Sequence, residues 1–119
     1  MIRVVHLFNV RKSVEESAFV EWLEAQLSSA TRMHGCIERK TWILLDGFEG
    51  SYRRPRGVKN RPKYVIEAYW SDQQAANRFR EWLTETPEGR ALHERWFSSV
   101  TDHTTLRYVE GWLPVPADA

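Results

Sequence analysis

The stretch YVIEAYWSDQQAANRFREWLTETPEGRALHERWF, from Tyr64 to Phe97, is where the fold is decided. Tyr64, Ile66, Ala68 and Trp70 alternate with Val65, Glu67 and Tyr69, and β-branched and aromatic side chains dominate, which is the pattern of a strand. Ser71 stands where an N-cap belongs, with Gln74 three residues on, as in a capping box. Ala75, Ala76, Phe79, Trp82 and Leu83 then recur at helical spacing and give one apolar face. Thr86 and Pro87 interrupt that face and restart it: Thr86 can cap, and Pro87 suits a first turn, where its missing N–H would lack a partner anyway. Leu92, His93, Trp96 and Val100 supply the second piece with its apolar side. The reading is a strand that runs directly into a two-part helix.

Upstream, Ile2 to Val10 forms the first strand. Val4, His6, Phe8 and Val10 fall on one face and Val5, Leu7 and Asn9 on the other, so both sides are expected to be covered. Ser13 and Glu16 make a capping box for the first helix, whose apolar stripe is Phe19, Trp22, Leu23, Leu27 and Ala30. Gly35 suits the left-handed position that ends it, and His34 reads as a terminus residue. Cys36 to Leu45 is the second strand. Residues 51–63 then carry Arg53, Arg54, Arg56, Lys59, Arg61 and Lys63 with no acid, in a loop (48–62) inserted between strands two and three. That loop is either a solvated excursion or a basic flap that draws an anion to a nearby opening. Thr104 to Leu113 is the last strand, and 114–119 is a C-terminal tail.

The element order is βαββαβ, an α+β, ferredoxin-like arrangement with an antiparallel four-stranded sheet in a single domain over 1–113. Helices cover one sheet face. The other face also receives apolar residues, and leaving it bare would expose a patch larger than soluble monomers tolerate. The expected solution is a homodimer through the sheet faces, a dimeric α/β barrel.

Composition narrows the function. With a net charge of +1, nucleic acid is an improbable partner, since its binders are strongly basic. Six Trp in 119 residues point to a deep core, an interface or an aromatic-lined pocket. The lone Cys36 forms no internal disulfide and fits a reducing, cytoplasmic setting as a small buried hydrophobe. No signal-peptide pattern and no apolar run of membrane-spanning length is present, so no membrane association is expected. His6 and His103 read as isolated, no spacing resembles a structural metal site, and glycine-rich nucleotide motifs are absent.

Asn9 at the end of the first strand, the AYWSDQQA run at Ala68–Ala75 and TPEGRALH at Thr86–His93 resemble the dimeric α/β-barrel superfamily, specifically its antibiotic-biosynthesis monooxygenase-like branch. The likeness implies a small homodimeric enzyme that oxidises a flat aromatic, anionic substrate in a pocket between helices and sheet. No cofactor is required in that reading; in haem-degrading relatives haem is itself the substrate. By the same resemblance the catalytic roles fall on Asn9, Trp82 and His93. Phe79, Trp96 and Trp70 would wall the substrate, and Arg53 and Arg54 would meet its negative charge. Trp82 spaced with Phe79 and Leu83 also fits an ordinary core, and His93 an ordinary helix histidine. The opening IRVVHLF resembles the stress-responsive barrels of the same superfamily, which leaves a non-catalytic ligand-binding barrel as the alternative.

Overall fold

A computed structural model of the chain describes residues 1–47 and 61–111. Arg53 and Arg54, most of the basic loop and the 114–119 tail lie outside the described residues. The elements are β1 (Ile2–Val10), α1 (Glu16–Met33), β2 (Glu38–Ile43), β3 (Tyr64–Trp70), α2 (Gln73–Glu85), α3 (Pro87–Ser99) and β4 (Val100–Val109). The sheet runs β2-β3-β1-β4, with every neighbouring pair antiparallel. This is the ferredoxin-like α+β fold expected from the element order.

The decisive stretch folds as its pattern requires. Thr86 joins α2 to α3: its Oγ1 accepts the Gly89 N–H at 3.1 Å and donates to the Trp82 carbonyl at 2.7 Å, with Pro87 in the first turn. Tyr64, Ile66 and Trp70 face the helices with Phe8, Phe19, Leu23, Leu27, Phe79, Leu83, Leu92 and Trp96, and these build the core.

Several boundaries differ from the sequence expectation: β2 covers Glu38–Ile43 and not Cys36 to Leu45, β4 ends at Val109 and not at Leu113, and three element starts move. Helix α1 is capped by Glu15, whose carboxylate accepts the Ala18 N–H at 2.6 Å, and not by Ser13. A turn closes first, from the Val14 N–H to the Arg11 carbonyl, and Glu16 is drawn off by Tyr64 and Lys63, so it cannot reach back to Ser13. Helix α2 is capped by Asp72, whose carboxylate takes the Ala75 N–H at 2.8 Å, instead of Ser71. Strand β4 begins at Val100, directly after α3, and not at Thr104.

That early start depends on a bulge. β1 and β4 pair through Leu7 and Thr104, then through Asn9 and Thr101, so Asp102 and His103 together oppose Phe8. Asp102 takes the left-handed conformation (φ 56°), which aspartate tolerates better than most residues. The extra residue resets the alternation, and both Val100 and His103 point towards the helices.

The second sheet face carries Arg3, Val5 and Leu7 of β1 and Glu67 of β3. Glu67 is only 5% exposed and accepts hydrogen bonds from Arg3, from Trp42 Nε1 at 3.1 Å and from the Tyr69 hydroxyl at 3.3 Å. Around this polar centre the face remains apolar and open, with Trp42 53% exposed and Leu106 and Tyr108 also exposed.

Candidate functional site

Beneath α3 the fold assembles a cluster that no sequence spacing announces. His6 of β1 and His103 of β4, 97 positions apart, meet with Nδ1 of His6 3.0 Å from Nε2 of His103. The β1–β4 register sets Thr105 beside His6, and its Oγ1 lies 3.1 Å from the same Nδ1. Trp96 of α3 packs on His6 with ring centres 4.5 Å apart, and Phe97 meets His103 edge-on at 4.4 Å. His93, one turn earlier on α3, stacks on Phe97 at 3.9 Å.

Burial governs the charge of this cluster. Desolvation, then the proximity of His103 and His93, pushes the His6 pKa down to about 3, so this imidazole is neutral at physiological pH. Burial lowers His103 as well, with His93 adding to the effect, and it lowers His93 against the pull of Glu94. Two neutral imidazoles in contact can share a first proton through an N–H···N bond but resist a second, so the pair titrates as a unit. Trp96 is 1% exposed, and its indole Nε1 is buried with no hydrogen-bond partner among the described residues. A buried N–H left without an acceptor is costly, and it marks a place where an acceptor is wanted.

The cluster reaches solvent at the edge of the sheet. A surface cleft of about 470 Å³ is lined by Leu7, Pro62, Asp102, His103, Thr104 and Leu106. His103 therefore belongs both to the buried cluster and to the cleft, whereas His6 lies behind it. Pro62 ties the cleft to the end of the basic loop. Lys63 next to it is held by Glu16, and its N–H donates to Asn9 Oδ1 at 2.8 Å.

The three positions that the family resemblance made catalytic separate in space. Asn9 follows Phe8 in β1, so it points to the opposite sheet face from His6 and Phe8; its partners are Asp102 and the Lys63 backbone. Trp82 stacks on Phe79 and lies against His34 at the end of α1 (ring centres 5.9 and 4.7 Å). Only His93 of the three joins the histidine cluster. Among the aromatic walls, Trp70 is 1% exposed and stacks on Phe79 within the core, while Trp96 contacts His6 and His103. Phe8, Trp70 and Trp96 are buried between helices and sheet, at 0, 1 and 1% exposure. Sequence reasoning missed His6 and His103. The usable signal was His6 sharing a face with Phe8, but pairing it with His103 required the β1–β4 register and the bulge.

Among the described residues, no group of three or more His, Cys, Asp or Glu is arranged to hold a metal ion, and no helix is long and apolar enough to cross a membrane.

No protein-family model and no curated protein matches the sequence. Solved structures do match the fold. A hydroxynitrile lyase from Passiflora edulis superposes with a TM-score of 0.67 at 12% identity, over 95% of this chain and 96% of that one. A DABB-family protein with a ferredoxin-like fold from Mesorhizobium loti gives 0.63 at 16%, over 93% and 97%. An antibiotic biosynthesis monooxygenase gives 0.61 at 16%, over 93% and 99%. At these identities the likeness is one of fold. The chain has the ferredoxin-like fold of the DABB and antibiotic-biosynthesis monooxygenase-like proteins.

Proposed function

We propose that this chain is a small homodimeric, monooxygenase-like enzyme in which His103, backed by His6, removes a proton from a flat, electron-rich aromatic held in the cleft at the β4 edge. The observation that carries the reading is the 3.0 Å contact between two neutral, half-buried imidazoles, one of which lines the cleft. A general base works best when it can reach the substrate while its partner nitrogen is fixed. Here His103 Nδ1 takes the proton, and its Nε2–H donates to His6 Nδ1, which spreads the positive charge. For a ring methylene the resulting carbanion gives its electrons to O2. A C–O bond forms, the O–O bond breaks, and a ketone and water leave. The Thr104 hydroxyl, which lines the same cleft, is a donor available to a developing oxyanion. An anionic substituent on the substrate is proposed from the cations of 53–63, whose segment ends at the cleft wall.

The test is oxygen uptake with anthrone- and quinol-type substrates. Wild type is expected to turn over, and His103→Ala to lose about 100-fold or more, the usual contribution of a positioned base. Unaltered turnover in His103→Ala, or no uptake with any such substrate, overturns the enzyme reading. The second reading, a non-catalytic ligand-binding barrel, is favoured by how completely Phe8, Trp70 and Trp96 fill the interior. It predicts binding of the same aromatics without oxygen uptake.

A further inference from the structure

We infer that Thr105 is a positioning residue: its hydroxyl holds the hydrogens of the His6–His103 pair in the one arrangement that leaves the cleft-side nitrogen of His103 bare. This rests on the reading proposed above, in which that nitrogen is the base, and it gives a part to a side chain that does not line the cleft.

The sheet puts the three groups together. Thr105 stands directly opposite His6 in the β1–β4 register, so their side chains share the face towards the helices. His103 lies two residues earlier on β4, and alternation gives it the same face. Both neighbours reach one atom of His6. Its Nδ1 is 3.0 Å from His103 Nε2 and 3.1 Å from Thr105 Oγ1.

Counting hydrogens at that atom selects the arrangement. Desolvation keeps both rings neutral, so each carries a single N–H. Across 3.0 Å, two bare nitrogens would set lone pair against lone pair and two N–H groups would collide, so one hydrogen lies between the rings. If it belonged to His6 Nδ1, that one N–H would have to serve His103 and Thr105 together. His103 would then carry its hydrogen on Nδ1 and could take no proton there. If it belongs to His103 Nε2, His6 Nδ1 is bare and the Thr105 O–H donates to it as well, so each contact has its own hydrogen. Among the described residues Thr105 Oγ1 makes no other hydrogen bond that would compete. Asp102 is the neighbouring acceptor that could draw a hydrogen to His103 Nδ1, but its carboxylate takes Asn9 Nδ2 at 3.5 Å and makes no bond to His103.

The test uses the full chain labelled with nitrogen-15, and long-range proton–nitrogen correlation spectra of the imidazoles near neutral pH, where bare and protonated ring nitrogens resonate far apart. In wild type, His6 and His103 are both expected to carry hydrogen on Nε2 and to be bare at Nδ1. Thr105→Val keeps the shape and the strand preference but removes the hydroxyl. It should lower the excess of the bare-Nδ1 form of His103 about fivefold, the worth of one neutral hydrogen bond, and Thr105→Ser should restore it. A side chain that only filled space would leave the ring nitrogens unchanged on going to valine. Unchanged spectra in Thr105→Val therefore overturn the inference, as do a wild-type His6 protonated on Nδ1 and a serine variant that behaves like the valine one. The spectra need no substrate, so a chain that takes up no oxygen loses the enzyme reading while this assignment stands or falls on its own.

Discussion

Gly89→Ala is expected to destabilise the chain, although helix propensity taken alone gives the opposite sign. Gly89 is buried in the first turn of α3, and alanine is better than glycine in an exposed helix by about 1 kcal/mol. A Cβ built on Gly89, however, falls inside contact distance of the Trp82 carbonyl oxygen, 2.6 Å from its carbon and 2.8 Å from Thr86 Oγ1. Carbon contacts are comfortable only at about 3.5–4.0 Å, and two of these three atoms are backbone, which cannot rotate aside. The third is the hydroxyl that caps α3, so relieving the collision also opens the Thr86 bonds. Overpacking costs about 1–3 kcal/mol and a lost cap about 1 kcal/mol. Against the propensity gain the net loss is about 1–3 kcal/mol, or a Tm lower by roughly 5–10 °C for a domain this size. Thermal and urea unfolding followed by circular dichroism reads it directly. Because α3 carries His93, Trp96 and Phe97, the near-ultraviolet signal of the aromatic cluster should weaken as well. A variant as stable as wild type would mean that the α2–α3 junction does not set the position of α3, and the geometry around His6 would lose its support.

Acid should weaken the fold through His6. Its folded pKa of about 3 lies below the ordinary 6.5, so between these values the unfolded chain binds more protons. Its contribution is complete above pH 6.5 and is lost as pH falls towards 3, by roughly 2–3 kcal/mol at pH 4.5; urea midpoints at pH 7, 5.5 and 4.5 should fall more steeply for wild type than for His6→Gln. Burial alone would raise the Glu67 pKa, but hydrogen bonds from Arg3 and Trp42 overcome it and hold the carboxyl below its usual value. The stability it lends is thus present above the ordinary carboxylate pKa and lost as pH drops through the depressed one; Glu67→Gln should cost about 2 kcal/mol at pH 7, the worth of hydrogen bonds to a buried charge, with a smaller loss at pH 3. Asn9→Ala should cost about 1 kcal/mol by releasing the Lys63 N–H, while the pH profile of any turnover stays that of wild type.

What the sequence revealed and what it hid follow from the range of the interactions. The β3–α2–α3 run was legible because alternation, helical spacing and the Thr86–Pro87 restart are all local. The bare apolar face was legible too, since Val5, Leu7 and Trp42 had nowhere else to go. The start of α1 was misread because Ser13 and Glu16 satisfy a local pattern that a distant partner overrides: Glu16 goes to Tyr64, 48 residues on. The start of β4 was misplaced because α3 passes into it at Val100 with no turn residues between, and the bulge at Asp102 then interrupts the alternation. The site suffered most. Its two histidines meet only through a register and a bulge, and neither leaves a mark on the spacing of the chain.

The histidine pair is hard to explain as a device for stability. A contact between β1, β4 and α3 is served at least as well by apolar side chains, because neutral imidazoles lose hydration on packing and regain only the contact with each other and that of His6 with Thr105. The Trp96 N–H adds a second buried polar group whose need is unmet within the described residues. Three unpaid or barely satisfied polar groups in one place, all from different elements, are what a fold carries when chemistry and not packing sets the residues. His6 is half-buried but desolvated enough to resist charge, His103 touches both it and the cleft, and Thr105 stands exposed at the edge. In the proposed reaction a proton accepted by His103 would not be stored on His6, whose lowered pKa disfavours it. That arrangement suits a site that takes a proton early in a reaction and gives it back before the product departs.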